Sequence, residues 1–239
     1  MCVIVDHTNE RVLDVLESRD KDTLVKYLRS GKGSGLLAQV EEVTTDMGDA
    51  YVAAAEEVFT GQAVVTIDRF HVMKNFQERL TEARRQIQRG LGKEEAKELK
   101  GTRWLWVTNG DNLSEEQRQE LQGLKERFPL LRQLAEQREG LRAIFEDKTI
   151  KDAATGTQRL QAWLEEAKTL GLDALAKFGK TLENWMDKIA NYFVNRSSNG
   201  RTEGFNRGLR AILWRCFGMR NFHHFRLRVL DSFGQPANT

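Results

Sequence analysis

More than half of this 239-residue sequence, from His71 to Asn195, repeats its apolar residues at helical spacing and contains no strand candidate. The helical stretches are FHVMKNFQERLTEARRQIQRGL, SEEQRQELQGLKERF, LLRQLAEQREGLRAIFE, QRLQAWLEEAKTL and TLENWMDKIANYFV. The turn-rich segment GTRWLWVTNGDNLS separates the first two, and Ser114 with Gln117 predicts a capping box at the start of the second. The pattern predicts an all-α insertion, so any sheet has to come from the residues on either side.

The first seventy residues alternate between apolar runs and helical stretches. Strands are predicted at roughly 2–6 and 11–17, as a hairpin, and again at roughly 39–45 and in AVVTID. Helices are predicted in DKDTLVKYLRS, ending at the glycines of GKGSG, and in MGDAYVAAAEEVFTG, ending at Gly61. This order predicts an α/β sheet with a parallel part.

Two arginine-bearing helices are predicted after the insertion, in RTEGFNRGLRAIL and MRNFHHFRLRVL. A polar tail that contains proline follows, and we expect it to fray. We therefore divide the chain into an α/β part at 1–70, the helical insertion at 71–195 and carboxyl-terminal helices at 196–239.

Composition excludes several classes of protein. The sequence has no apolar run of the roughly 20 residues that a membrane span needs, and its first residues lack the order of a secretory signal. Its two cysteines, Cys2 and Cys216, form no CxxC pair. We expect a soluble, cytoplasmic protein without a disulfide framework or a membrane partner.

Basic charge is concentrated near the carboxyl terminus. Between Arg196 and Asp231 the sequence has eight arginines, no lysine and two acidic residues. Arginine forms planar, bidentate contacts with phosphate, so this segment has the electrostatic character of a nucleic acid binding surface. A solvated helix face would explain the same pattern without a ligand.

Asp46 and Asp68 directly follow predicted strands. The carboxyl ends of strands form the edge at which open α/β sheets bind ligands, and Mg²⁺ takes carboxylate oxygens together with substrate phosphates. Two such ions about 3.5–4 Å apart can hold the attacking and leaving oxygens of a phosphodiester reaction. Aspartates at strand ends also cap the next helix, so a structural role stays open.

Glu203 is a lone acid among arginines in SSNGRTEGFNRGLR. It would bind a metal while the arginines hold DNA backbone, or it would stabilise a helix amino terminus and pair with Arg207. Asp68 and His71 form either a metal pair or, as we prefer, hydrogen bonds that fasten the strand to the following helix, because zinc would need more Cys or His ligands. Most of the tryptophans are predicted to be core residues, and core packing is also preferred for Trp214, although this residue, next to Arg215, could instead stack on an unpaired base.

Four stretches along essentially the whole chain resemble a known family: VTTDMGDAY, VVTIDRFHVMKNF, GTRWLW with NGDNLSEEQ, and SSNGRTEGFNRGLRAILWRCFGMRNFHHFRLRVL. They are similar to the carboxyl-terminal part of DDE-type insertion-sequence transposases of the ISL3 branch. The resemblance implies a ribonuclease-H-like sheet whose two aspartates and one glutamate bind two Mg²⁺ (or Mn²⁺) ions. It also implies an all-α insertion before the glutamate helix.

Transferred by position, the resemblance makes Asp46 the second catalytic acid and Glu203 the third, both as metal ligands. Asp68 and His71 resemble a D-x-x-H motif that supports the active site. The residues that would face DNA or support the glutamate are Arg201, Asn206, Arg207, Arg210, Arg215 and Arg220.

The sequence also departs from the family pattern. A ribonuclease-H-like sheet has three antiparallel strands before its first helix, whereas this sequence offers two. The expected strand with the first catalytic aspartate is missing, and Asp6 aligns with the wrong strand to replace it.

The resemblance therefore implies a catalytic-domain fragment of a DNA transposase, inactive by itself, whose intact relatives cleave and join the DNA of an insertion sequence. One alternative is a DNA-binding or oligomerising module without chemistry, which would pair with itself or with full-length transposase. Another is a helical scaffold in which the acids are only caps and ion-pair partners.

Overall fold

The computed structural model describes residues 1–108 and 110–235. They form two compact units: Met1–Asp68 together with the segment that starts at Arg196, and Arg69–Asn195. The first unit is discontinuous in sequence, because the whole second unit is inserted between Asp68 and Arg196. The predicted division into functional domains stays a prediction. None of the described helices is both long and apolar enough to cross a bilayer.

The strands of the first unit form two small sheets. β1 (Cys2–Asp6) pairs with β2 (Arg11–Leu16) in an antiparallel hairpin, and β3 (Glu42–Thr45) pairs in parallel with β4 (Val64–Ile67). The predicted strands and the parallel pair are present. They lie in two sheets where the sequence predicted one, because no strand of the described residues joins the two pairs by hydrogen bonds. The ribonuclease-H-like arrangement stays a prediction.

Two helices pack beside these strands. α1 (Lys21–Gly33) begins at Asp20, whose carboxylate accepts a hydrogen bond from the Thr23 amide at 2.8 Å, and α2 (Asp49–Phe59) ends before Gly61. The predicted stop in GKGSG is confirmed, because α1 ends at Gly33 within that segment, although the helix includes Gly31. A Cβ on Gly31 would lie 2.7 Å from Leu37 Cδ1, so the missing side chain lets Leu37 pack against the helix.

The second unit is helical, as predicted. Its helices are α3 (Arg69–Gly90), α4 (Lys93–Glu98), α5 (Arg103–Val107), α6 (Glu115–Arg127), α7 (Pro129–Glu146), α8 (Ala153–Lys168), α9 (Asp173–Asn184), α10 (Met186–Ala190) and α11 (Tyr192–Asn195). Phe76, Trp163 and Phe178 form an edge-to-face cluster with ring centroids 4.9–5.8 Å apart. Such aromatic clusters supply much of the buried apolar surface of a helical core.

The segment predicted as a turn-rich link contains the short helix α5. Trp106 lies on its buried side and donates a hydrogen bond to Thr102 Oγ1 at 3.2 Å, so burial of this apolar side chain favours a helical turn. Asn109 of this segment is outside the described residues. The predicted capping box is confirmed: Ser114 Oγ accepts from the Gln117 amide, and Gln117 Oε1 accepts from the Ser114 amide.

The chain returns to the first unit with α12 (Gly200–Arg215) and α13 (Phe222–Phe233). Leu209, Phe225 and Val229 pack with Val12 and Val15 of β2 in one buried cluster. Arg226 makes a two-bond ion pair with the buried Asp14, with Nε to Oδ1 at 2.5 Å and Nη2 to Oδ2 at 2.8 Å. The tail predicted to fray lies mostly outside the described residues.

Candidate functional site

Polar side chains line one face of the β3–β4 pair. Because side chains alternate between the two faces of a strand, Glu42 and Thr44 share a face with Thr66, and Asp46 and Asp68 are the residues that directly follow the paired segments. Thr45 and Ile67 are the last paired residues, and the Asp68 amide donates to the Thr45 carbonyl at 3.0 Å. The structure therefore brings the two predicted aspartates to the same end of the same pair of strands.

Asp68 is joined to the start of the helix that carries Glu203. The side chain of Asp68 is 1% exposed, and its Oδ2 accepts a hydrogen bond from the Asn199 amide at 3.1 Å. Asn199 is the N-cap residue of α12, and its carbonyl accepts from the Glu203 amide at 3.0 Å. Two hydrogen bonds thus lead from the end of β4 to the backbone of the predicted catalytic glutamate.

Glu42 makes a second attachment to the same segment. One of its carboxylate oxygens accepts from Thr66 Oγ1 at 2.5 Å and the other accepts from Ser197 Oγ. The sequence analysis did not select Glu42. The two-residue alternation from Glu42 to Asp46 could have placed it on the polar face, but nothing local indicates its contact with Ser197.

The turn between β1 and β2 holds α12 from the other side. His7 Nε2 hydrogen bonds to Thr202 Oγ1 at 3.0 Å, and Arg201 donates to the His7 carbonyl and pairs with Glu10 at 2.8 Å. Burial, and then the charge of Arg201, lower the pKa of His7. Sequence reasoning missed His7 because its partner is 195 positions away. Arg201, predicted to face DNA or support the glutamate, contacts the hairpin turn.

Asp46 keeps one carboxylate oxygen without a partner. Its Oδ1 is buried and accepts no hydrogen bond from any described residue. A Cβ on Gly48 would lie 2.9 Å from this atom, so glycine leaves the space that the carboxylate occupies. The Asp46 charge also adds to burial in raising the pKa of Cys2 to about 11. A buried carboxylate oxygen of this kind needs a donor or a cation.

Glu203 is half-buried in the first turn of α12. Within residues 1–108 and 110–235, the ion pair with Arg207 that one of the two alternatives proposed is not formed. Of the two local interactions considered for Glu203, only its favourable interaction with the helix dipole at the amino terminus of α12 remains.

The donor chemistry of these residues suits a hard divalent cation. Mg²⁺ is usually bound by one or two carboxylates together with waters and substrate phosphates, and Asp46 and Glu203 offer carboxylates that the fold does not use. In the described part of the chain, no group of three His, Cys, Asp or Glu side chains could hold a metal by itself. The chemistry of each of these two carboxylates therefore fits a hard cation.

The remaining predicted residues take no part in the hydrogen bonds described above. His71 is in the first turn of α3, half-buried and edge-on to Phe70 at 5.5 Å. Asn206 is half-buried in α12. Four predicted DNA contacts are exposed and have no ion pair with any described residue: Arg207, Arg210, Arg215 and Arg220.

The family model and the related proteins that match this chain are all described as transposases. The family model of DDE transposases of the ISL3 type, described as transposase, matches residues 1–229. The transposase for insertion sequence element IS1001 of Bordetella parapertussis is 25% identical over 239 residues, covering 99% of this chain and 57% of that protein. The transposase for IS1557 of Mycobacterium tuberculosis is 25% identical over 244 residues, covering 92% of this chain and 54% of that protein. The chain thus spans a little over half the length of these relatives, and no solved structure is significantly similar.

Proposed function

The chain belongs to the ISL3 family of DDE transposases, and from this we propose that its discontinuous α/β unit contributes to the catalytic domain that cleaves and joins DNA during transposition of an insertion sequence. The observation that carries the proposal is the meeting of three predicted elements at one place. Asp46 and Asp68 lie at the same end of β3 and β4, and Asp68 accepts a hydrogen bond from the cap of the Glu203 helix.

Asp46 and Glu203 are the proposed metal ligands and catalytic acids. The unpartnered Oδ1 of Asp46 supports the assignment of Asp46 as a metal ligand. The partial exposure of the Glu203 side chain supports the same assignment for Glu203. Two Mg²⁺ or Mn²⁺ ions, when bound, would activate the attacking oxygen and neutralise charge on the leaving oxygen. The protein's own contribution is to hold the two carboxylates on rigid elements, because β3 and α12 are tied together through β4 and Asn199.

Asp68 has a positioning role in this proposal. Its buried carboxylate accepts a hydrogen bond from Asn199 and so positions the amino terminus of α12. Hydrogen bonds between Glu42 and Ser197 and between His7 and Thr202 hold the same segment. His71 would support the site as the second part of the D-x-x-H motif.

DNA is the proposed substrate of the four exposed arginines on α12 and after it. Arg207, Arg210, Arg215 and Arg220 are not neutralised by any described acid, so phosphate is a suitable counterion. We also propose that the hairpin β1–β2 and the pair β3–β4 belong to one ribonuclease-H-like sheet in the assembled catalytic domain.

These 239 residues are proposed to be inactive alone. Two-metal catalysis needs both ions held, and the family resemblance assigns only two of the three catalytic acids, Asp46 and Glu203, to this sequence. The four exposed arginines favour a second candidate function, which is DNA binding and pairing with another copy or with full-length transposase, without chemistry.

Calorimetric titration of Mn²⁺ tests the ligand assignment. Wild type, Asp46→Asn and Glu203→Gln are compared with Glu17→Gln, a control that removes an exposed acid of the same unit. We expect binding in wild type and in the control and a loss of at least tenfold in affinity for the other two variants. Equal binding in all four proteins, or none in wild type, would overturn the assignment.

Nicking of a supercoiled plasmid in Mn²⁺ tests the proposed inactivity. We expect no nicking by the 239-residue chain. Metal-dependent nicking that Glu203→Gln abolishes would show that the chain is active, whereas nicking that persists in Glu203→Gln would point to a contaminating nuclease and calls for repurification before the assay is read.

A further inference from the structure

Helix α12 has two faces of opposite character. Phe205, Leu209, Ile212 and Leu213 pack in the cluster that includes Val12 and Val15. The opposite face is a row that begins at the proposed catalytic acid, with members separated by four, three and four positions. These members are Glu203, Arg207, Arg210 and Trp214. At 100° per residue, this spacing keeps the four side chains within one narrow stripe.

The far end of this row carries exposed aromatic side chains. Trp214 is 83% exposed and Phe217, two residues beyond the helix, is 100% exposed. Core packing of Trp214, the alternative preferred from sequence, is therefore wrong. We call Trp214 and Phe217 the aromatic tip.

The backbone at the aromatic tip is well defined. The Gly218 amide donates to the Leu213 carbonyl at 3.0 Å and the Phe217 amide donates to the Trp214 carbonyl at 3.1 Å. This is the Schellman pattern that ends helices, and it puts Phe217 at the position usually occupied by glycine, with φ of 52°. A large aromatic residue in left-handed conformation is uncommon, so the chain holds a strained, fully exposed ring at the end of α12.

The tip adjoins unneutralised positive charge. Arg210 lies one turn before Trp214 on the same face, Arg215 follows it, and neither forms an ion pair with a described residue. Grooves that combine arginines with exposed aromatic rings bind single-stranded nucleic acid, because phosphates meet the cations and bases stack on the rings. A second copy of this chain is a poor occupant, since a two-fold interface centred on the tip would bring each set of arginines close to its own equivalent.

We propose that the aromatic tip stacks on unpaired bases of the same DNA strand whose phosphodiester lies at Glu203. The proposal rests on the function proposed above and adds to it a contact with base faces, which are inaccessible in an intact duplex. Eleven helical positions separate Glu203 and Trp214, which is about 16 Å at the rise of an α-helix. A strand that advances about 3.4 Å per nucleotide covers this length in roughly five nucleotides, with Arg207 and Arg210 along its path.

Fluorescence anisotropy with two labelled probes tests the proposal: a 20-nucleotide oligodeoxythymidylate and a blunt 20-base-pair duplex. The variants are Trp214→Ala and Phe217→Gly, and the control is Trp104→Ala, which removes a tryptophan that is 70% exposed in the helical unit. We expect each tip variant to bind the single strand about tenfold more weakly, with duplex affinity within twofold of wild type. Trp104→Ala should bind both probes as wild type does.

Other outcomes separate this proposal from the function on which it rests. An equal loss for single strand and duplex, or no loss for either, overturns the stacking proposal and leaves DNA binding in place. A wild type that binds neither probe contradicts the proposed DNA-binding role of the arginines as well. Self-association in sedimentation velocity that Trp214→Ala abolishes would identify a second copy as the occupant and overturn the proposal.

Phe217→Gly keeps the test independent of folding. Glycine suits the conformation at this position better than phenylalanine, so a loss of single-strand affinity in a variant with equal or higher melting temperature is not due to unfolding. A shorter oligodeoxythymidylate of four nucleotides extends about 14 Å, which does not reach from Glu203 to the tip, so it should show a smaller difference between wild type and Trp214→Ala. If the four-nucleotide probe retains the full difference between the two proteins, the five-nucleotide path is wrong.

Discussion

At the scale of single residues, the Oδ1 atom of Asp46 is buried without a hydrogen-bond donor from the described chain. Leaving such an atom unsatisfied costs about 1–3 kcal/mol, and more if it is charged. In a chelating buffer, Asp46→Asn removes the charge, so we expect the free energy of unfolding to rise by about 1 kcal/mol. Urea unfolding followed by circular dichroism would measure this difference.

The same pair of proteins can be unfolded in the presence of Mn²⁺. A ligand that binds only the folded state adds stability, so wild type should gain stability from Mn²⁺ and Asp46→Asn should not. An Asp46→Asn variant that is less stable than wild type in chelator would mean that the carboxylate has a structural partner.

His7 gives a prediction about pH. Its folded-state pKa is lowered, mainly by burial and next by Arg201, while Asp6, Asp68 and Glu42 oppose the shift. The unfolded chain therefore binds more protons than the folded chain as pH falls below about 6.5, and stability is lost in that range. His7→Gln cannot titrate but can still donate to Thr202. We expect the variant to lose less stability than wild type between pH 7.5 and pH 5.5.

Urea unfolding at the two pH values measures this effect. Other histidines and carboxylates contribute equally to both proteins, so the difference between the two pH dependences isolates His7. An identical pH dependence would show that His7 titrates alike in the folded and unfolded states.

At the scale of elements, the end of α12 is a point of stored strain. Left-handed backbone costs a residue with a Cβ roughly 1–2 kcal/mol, and Phe217 gains no burial in return. We expect Phe217→Gly to raise the free energy of unfolding by about 1 kcal/mol. Thermal unfolding monitored at 222 nm measures the change, with Phe217→Ala as a control that removes the ring but keeps the strained conformation and should change stability little.

Local elements were predictable because local spacing determines them. The apolar runs at β1 to β4, the helical periodicity of the second unit and the Ser114 capping box all lie within short windows of sequence. The stop of α1 within GKGSG was predictable from its glycines, whereas the packing of Leu37 against Gly31 of that helix was not. Pairing into two sheets is likewise a property of strands that are distant in sequence.

The residues of the candidate site also differ in whether local sequence could predict them. Asp46 and Asp68 could be selected because strand ends are visible in sequence, and Glu203 because its arginine surroundings are. Glu42 and His7 act on α12 across 155 and 195 positions, and no short pattern indicates such contacts. Arg215 beside Trp214 left exposure of this tryptophan open as an alternative, but its sequence neighbours could not decide against core packing, the usual place of a tryptophan.

At the scale of the whole molecule, the net charge is only +2, although the carboxyl-terminal segment is strongly basic. Each phosphate contact that is lost lowers the salt dependence of DNA binding by about one unit of slope. We expect Arg207→Ala with Arg210→Ala to reduce the slope of log affinity against log salt by about two for a 20-base-pair duplex. A matched double variant, Arg127→Ala with Arg132→Ala on α6 and α7, should leave the slope unchanged.

Because the first unit is discontinuous in sequence, its two parts are synthesised at different times. During synthesis, Asp68 leaves the ribosome 131 residues before Asn199, its hydrogen-bond partner. At about 5–20 residues per second, this interval lasts on the order of ten seconds. The helical unit, with contacts that are local in sequence, can fold within it, while β2 still lacks the helices that cover Val12 and Val15. The helix that carries Glu203 follows the helical unit, so the first unit cannot be completed until α12 and α13 have been synthesised.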